Sequence, residues 1–98
     1  MELNELVEKM DFFVRKKGWY NTGSTKPQKP ENIAKSICIE SAELLECFQW
    51  IETPDKFSVE SEAADIILYV AQLANLMNID LNKAVLTKLK INETRDWE

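Results

Sequence analysis

Leu3, Leu6, Val7, Met10, Phe13 and Val14 recur at spacings of three and four, the single apolar stripe of an amphipathic helix. The stripe predicts a helix from about Glu2 to Lys17, ended by Gly18. Trp19 to Lys29 carries Asn21, Thr22, Gly23, Ser24, Thr25 and Pro27 and predicts a loop. Pro30 suits the first turn of a second helix. That helix runs to about Ile51 on the stripe Ile33, Ile37, Leu44, Phe48 and Ile51, and Thr53-Pro54-Asp55 closes it. A third helix starts between Asp55 and Ser58 and reaches about Met77. After Asn78-Ile79-Asp80, with Asp80 as N-cap, a fourth runs from about Leu81 to Thr94. No stretch keeps the two-residue alternation of a half-buried strand, and short connections between long helices favour antiparallel neighbours. The pattern predicts an all-α, four-helix-bundle-like fold over residues 1–98 as one domain.

The chain has 98 residues, 45% hydrophobic and 30% charged, with a formal net charge of -5. That balance suits a folded domain and not a disordered one. Without a basic patch, a nucleic acid polymer is not an expected partner. No signal peptide and no apolar run long enough to span a bilayer stands out, so a cytoplasmic protein away from membranes is expected. Cys38 and Cys47 lie nine positions apart in one expected helix, roughly 13 Å at helical rise. They cannot bridge each other there. A domain this small buries a limited share of its surface. The third helix is apolar almost all round, with Val59, Ile66, Val70, Leu73, Leu76 and Met77 on its main stripe. Ala63, Ala64, Ile67, Ala71 and Ala74 line another side, which predicts a subunit contact and hence a homodimer or homotetramer.

Projecting the second and third helices at about 100° per residue puts acids on the wrong faces. Glu40 falls at the edge of the apolar stripe beside Ile33 and Ile51, and Glu43 lies one turn further along with Cys47 and Trp50. Glu62 and Tyr69 project into the middle of the third helix's stripe, with Asp65 beside Glu62. Two acid pairs at i, i+3 therefore face inward on consecutive helices. Burying one unpaired carboxylate costs several kcal/mol, and four together cost more. The acids must pair with cations, take up protons, or share a hard metal ion with oxygen ligands. Lys35 and Lys56 lie near helix N-termini, leaving Lys88 and Arg95 as the side-chain partners on offer. A cation, Mg²⁺ in particular, is favoured, because it keeps waters and is shared with substrate phosphates. The competing readings are a non-catalytic helical interaction module with solvated acids and a di-iron carboxylate protein. The second needs E-x-x-H motifs, and the chain has no His.

Glu40-x-x-Glu43, 18 intervening residues, then Glu62-x-x-Asp65 resembles the signature of the MazG-like, all-α nucleoside triphosphate pyrophosphohydrolases. Pro30-Glu31-Asn32-Ile33-Ala34 is similar to that family's start of the second helix. Glu43-Leu44-Leu45-Glu46-Cys47-Phe48-Gln49-Trp50 resembles its E-L-x-E-x-F-Q-W run. Tyr69 stands four residues after Asp65 as in the dCTP pyrophosphatase branch, and Lys88, Asn92 and Arg95 match a K-x-x-x-N-x-x-R ending. The resemblance spans roughly residues 19 to 97. It departs from the pattern just before Pro30, where relatives carry a His and this chain has Gln28-Lys29 after a slightly longer loop.

The resemblance implies hydrolysis between the α- and β-phosphates of a nucleoside triphosphate, pyrimidine deoxynucleotides such as dCTP being favoured. Attack at the α-phosphorus needs an activated water and charge neutralisation, which Mg²⁺ supplies, with Mn²⁺ able to substitute. Glu40, Glu43, Glu62 and Asp65 are the expected metal and catalytic cluster. One of them, or Glu46, serves as general base, although Glu46 projects away from the cluster. Lys88, Asn92 and Arg95 share a face of the fourth helix. The two cations either hold phosphates or balance the acids, and Asn92 bonds a sugar, a base edge or a helix end. Trp19, Trp50 and Tyr69 are expected to line a nucleoside pocket, Phe48 to sit in the core, and Trp97 to close a neighbouring subunit's pocket.

Overall fold

The computed structural model describes residues 2–95, so Trp97 lies outside the described residues. Four helices follow in order: α1 (Leu3–Lys16), α2 (Pro30–Glu46), α3 (Lys56–Leu76) and α4 (Leu81–Thr94). There is no strand among the described residues.

The helix ends follow from local chemistry. Gly18, at φ 72°, closes α1: its N–H donates to the Arg15 carbonyl, and the Trp19 N–H reaches back to Val14 at 3.2 Å. Asn78, at φ 54°, closes α3 in the same way, with bonds from Asn78 to Asn75 and from Ile79 to Ala74. Both are paired C-terminal closures through a left-handed residue. Asp55 caps α3 by accepting from the Ser58 N–H at 3.2 Å, and Asp80 caps α4 by accepting from the Lys83 N–H at 3.1 Å. The start of α4 is also clasped to the start of α1. Asn4 donates to Asp80 and accepts from the Leu81 N–H, while the Leu3 N–H donates to Asn82. These two bonds from Asn4 and Lys83 hold the Asp80 carboxyl below the usual carboxylate range.

α3 is the central element. One face packs on α2, another on α1, and α4 rests mainly on α1. The core between α1 and α3 is Met10, Val14 and Ala71, with Leu6, Val7, Tyr20 and Leu68 around it. Asn75 adds a 2.9 Å bond to Asp11 across the same seam.

Two expectations are corrected. α2 ends at Glu46, not near Ile51, because Cys47, Phe48 and Gln49 donate to carbonyls three residues back, tightening the last turn out of α-helical geometry. Phe48, expected in the core, is therefore exposed, as is Ile51. On the alanine side of α3, Ala71 and Ala74 are buried inside the chain, Ala71 against Met10 and Val14 of α1, while Ala64 and Ile67 stay exposed. Apolar surface remains elsewhere, on Phe12, Leu45, Phe57, Leu86 and Leu89 among others. A compact chain of this length has a radius of gyration of about 13 Å, whereas this one measures 15.7 Å.

Candidate active site

α2 and α3 bring the acids together. Glu40, Glu62 and Asp65 each offer a carboxylate oxygen within 4.8 Å of the other two, and all three are half-buried. Glu43, one turn along α2 from Glu40, is more exposed and touches the group from one side. Burial first, then hydrogen bonding and charge from Glu43, then the charges of Asp65 and Glu62, push the Glu40 carboxyl up to about 7. The Glu62 carboxyl is raised too, by burial first and then by Glu43 and Asp65. Glu40 and Glu62 each keep a buried oxygen, Oε2, that no described residue hydrogen-bonds.

That donor set fits a divalent cation. It offers only hard oxygen ligands, from three side chains that converge on one point. The raised pKa values reflect burial first and then the neighbouring acids, and a doubly charged ion at their centre would offset both.

Two hollows flank the cluster. The larger is a cleft of about 590 Å³ lined by Trp19, Ser24 to Gln28 of the α1–α2 loop, Asn32, Ile33 and Ser36 of α2, and Tyr69 of α3. Tyr69 joins cleft to acids, its phenol raised by burial and then by the charges of Glu40, Asp65 and Glu43. The Phe13 and Trp19 rings meet at right angles, 5.5 Å between centroids, which props the indole at the cleft wall. On the other side, Glu43, Glu46, Cys47, Ile51, Asp55, Ser58 and Glu62 line a groove of about 390 Å³.

The structure thus gathers Glu40, Glu43, Glu62, Asp65, Tyr69 and Trp19 into one region. Glu46, which the helical projection turned away, shares the groove with Glu43 and Glu62. Trp50 stands apart, 86% exposed past the end of α2. Lys88 lines a shallow face of α4 with Asp80, Lys83 and Ile91, separate from the cleft. Asn92 is half-buried and Arg95 exposed, at the far end of the same helix.

Asn32, Ser36 and Gln28 were missed. The first two were legible: stepping back four and eight residues from Glu40 along one helix face gives Ser36 and Asn32. Gln28 was not, because its place depends on a contact across 44 residues. Gln72, fully buried on α3, donates to its side-chain oxygen at 2.7 Å. Gln28 in turn donates to the Lys26 carbonyl at 2.7 Å.

A model of the MazG-like family matches residues 35–97, the span that holds all four acids. The chain belongs to the MazG-like family. It is 32% identical over 77 residues to dCTP pyrophosphatase 1 of Bos taurus, covering 68% of this chain and 46% of that protein. Against dCTP pyrophosphatase 1 of Homo sapiens it is 30% identical over 77 residues, covering 68% and 45%. The dATP/dGTP diphosphohydrolase of Cyanophage S-2L is 34% identical over 56 residues, covering 57% of this chain and 53% of the phage protein. The chain spans about half the length of these curated relatives. Among the described residues, no helix is long and apolar enough to cross a membrane.

Proposed function

We propose that this chain, as a single domain over residues 1–98, hydrolyses nucleoside triphosphates to the monophosphate and pyrophosphate. The observation that carries the reading is the convergence of Glu40, Glu62 and Asp65 within 4.8 Å beside a cleft of about 590 Å³, with Tyr69 belonging to both. The printed names of the relatives, dCTP pyrophosphatase and dATP/dGTP diphosphohydrolase, support the same chemistry. In this reading Glu40, Glu43, Glu62 and Asp65 hold Mg²⁺, or Mn²⁺ in its place. A cation there supplies charge neutralisation on the triphosphate and polarises its phosphoryl oxygens.

The protein's own residues do the rest. Trp19 and Tyr69 flank the nucleoside, and the backbone and side chains of Ser24 to Gln28 close over it. Glu43 and Glu46 face the groove on the opposite side of the cluster, where either can take a proton from an attacking water. Pyrimidine deoxynucleotides such as dCTP are the favoured substrates, and the activity serves to clear unwanted nucleotides in the cytoplasm.

The chain works as a homodimer or homotetramer. The open α4, the exposed Phe48, Trp50, Leu86 and Leu89 and the large radius of gyration support a partner copy. Lys88, Asn92 and Arg95 ride on a helix that packs mainly against α1 rather than across the acid groove. They meet a triphosphate in a partner's site, as does Trp50.

A survey of the eight common nucleotides with Mg²⁺, products identified, tests the reading. Pyrophosphate release from deoxynucleotides supports it. Orthophosphate as the product, or no turnover of any nucleotide, removes it.

A further inference from the structure

The net charge of -5 hides a local excess of the opposite sign. Six of the 12 Lys and Arg fall within residues 15–35, against one of the 17 acids, Glu31. Arg15, Lys16 and Lys17 stand at the end of α1, Lys26 and Lys29 in the α1–α2 loop, and Lys35 on α2. All six are exposed. Among the described residues, Arg15 alone of the six has an acid within ion-pair distance, Asp11 at 2.9 Å.

Helix stability accounts for Arg15 and Lys16, which face the negative end of the α1 dipole. It does not account for Lys29. A cation at a helix N-terminus is disfavoured, and Lys29 is the N-cap of α2 with no side-chain bond to offer the helix. Asp55 and Asp80 fill the same position on α3 and α4, and both cap. Departures from local rules collect where function needs them.

These cations surround one of the two ways to the acid cluster. Lys26 lines the cleft, whose described lining holds no acid. Lys29 lines an adjoining hollow of about 280 Å³ that shares Trp19, Ser24, Pro27 and Gln28 with the cleft. The Lys17 ammonium stands over the Phe13 ring at 5.7 Å, and Phe13 meets Trp19 of the cleft wall. The groove on the other side of the cluster is the reverse. Glu43, Glu46, Asp55 and Glu62 line it and, among the described residues, no Lys or Arg does.

The cluster thus lies between two openings of opposite charge. A triphosphate coming by the groove meets carboxylates, and one coming by the cleft meets ammonium groups. We infer that Lys17, Lys26 and Lys29 form a basic rim that draws the polyphosphate anion in through the cleft, while the acidic groove turns it away. The rim acts through its field and needs no contact with the reacting phosphorus. Fields of this kind raise the capture of an oppositely charged ligand by about 10–1000-fold and fade with salt. The inference rests on the proposal that the acids act on a nucleoside triphosphate.

The test measures kcat and KM for dCTP at ionic strengths of about 0.01 M and about 1 M, where the Debye length is roughly 30 Å and 3 Å. It compares the wild type with Lys17→Gln/Lys29→Gln. A control pair, Lys9→Gln/Lys56→Gln, changes the net charge equally at exposed lysines elsewhere, each paired with an acid one turn away. At low salt the rim pair should lower kcat/KM by about fivefold, through KM with kcat kept, and at high salt by less than about twofold. The control pair should lose less than about twofold at either. Lys17→Arg/Lys29→Arg, which keeps the charge, should behave as the wild type. Inorganic tripolyphosphate gives a readout that needs no turnover. Added without divalent ions at low salt, it should shift the NMR amide signals of residues 17–29 and leave those of Glu46, Asp55 and Ser58 on the groove in place.

Equal losses in the rim and control pairs, or one salt dependence for all the proteins, overturn the inference. If no nucleotide is turned over, the proposed function is what fails. Tripolyphosphate shifts confined to residues 17–29 then still support the rim, and shifts absent there or equal on the groove overturn it. Shifts from a single-stranded oligonucleotide with none from tripolyphosphate would assign these lysines to a nucleic acid and overturn it as well.

Discussion

Glu40 lifts the pKa of Tyr69. After burial, the Glu40 charge is the largest influence on the phenol, which places a cleft-lining ring within electrostatic reach of the acid cluster. The two parts of the site are therefore coupled. Neutralising the acids should bring the phenol back towards its ordinary value, so Mg²⁺ should lower the pH at which tyrosine absorbance shifts. A titration midpoint unmoved by Mg²⁺ would separate Tyr69 from the metal centre.

Stability should depend on pH with a definite sign. Glu40 has a folded-state pKa of about 7 against an ordinary 4.5, and Glu62 is shifted in the same direction. The unfolded chain releases these protons first, so without a divalent ion stability is full below about pH 4.5 and is lost as the pH rises through about 7. Magnesium competes with those protons. Thermal melts at pH 5 and pH 8 should show a larger Mg²⁺-induced gain at pH 8, approaching about 2.7 kcal/mol at a hundredfold excess over Kd. An equal gain at both values would contradict the cluster's role.

Removing a charge from the cluster should stabilise and inactivate together. Glu40→Gln and Asp65→Asn relieve repulsion in the metal-free protein and take away a ligand. Their metal-free melting temperature at pH 8 should rise above the wild type's. Loss of a partner behind a ligand alone costs about 10–100-fold, so turnover should fall by more than about 100-fold. Glu43→Gln, which removes the charge that acts most on Glu40 and Glu62, should raise the melting temperature at least as much as Asp65→Asn. A variant that melts lower but keeps turnover would point to a structural role.

The turn after α3 should tolerate glycine and resist branching. Asn78 sits at φ 54°, where a β-branched side chain costs about 1–2 kcal/mol. Asn78→Val should lower the melting temperature and Asn78→Gly should not. Equal melting of both would show that the turn rearranges.

Assembly follows from surface left uncovered. Sedimentation at micromolar concentration should show a multiple of 11.4 kDa. Trp50→Ser should weaken assembly, because the indole is 86% exposed. A lone 11.4 kDa species with full activity would refute the shared site.

Much of this was legible in the sequence because the relevant signals are local. The apolar stripe of α1, Pro30 at the start of α2, and the caps Asp55 and Asp80 fix element boundaries through neighbours in the chain. The acids stood out because the 3.6-residue period turned them inward. The end of α2 was misjudged for a physical reason: over the four residues from Cys47, a three-residue turn and an α-turn place Phe48 and Ile51 almost alike. The packing of α3 was also beyond reach. Periodicity shows that two faces are apolar but not that Met10 and Val14 of α1 cover Ala71. Gln28 stood out in the sequence only as a departure from the family pattern before Pro30, and its contact with Gln72, 44 positions away, was beyond local signals.

The central claim is that side chains from α2 and α3 share one divalent ion. Calorimetric titration of Mg²⁺ into the protein at pH 7.5 tests it directly, with Glu62→Gln and Asp65→Asn titrated alongside. Saturable binding in the wild type, lost in both variants while their helical circular dichroism is unchanged, is the expected result. Binding of equal strength in all three proteins, or none in the wild type, would contradict the account.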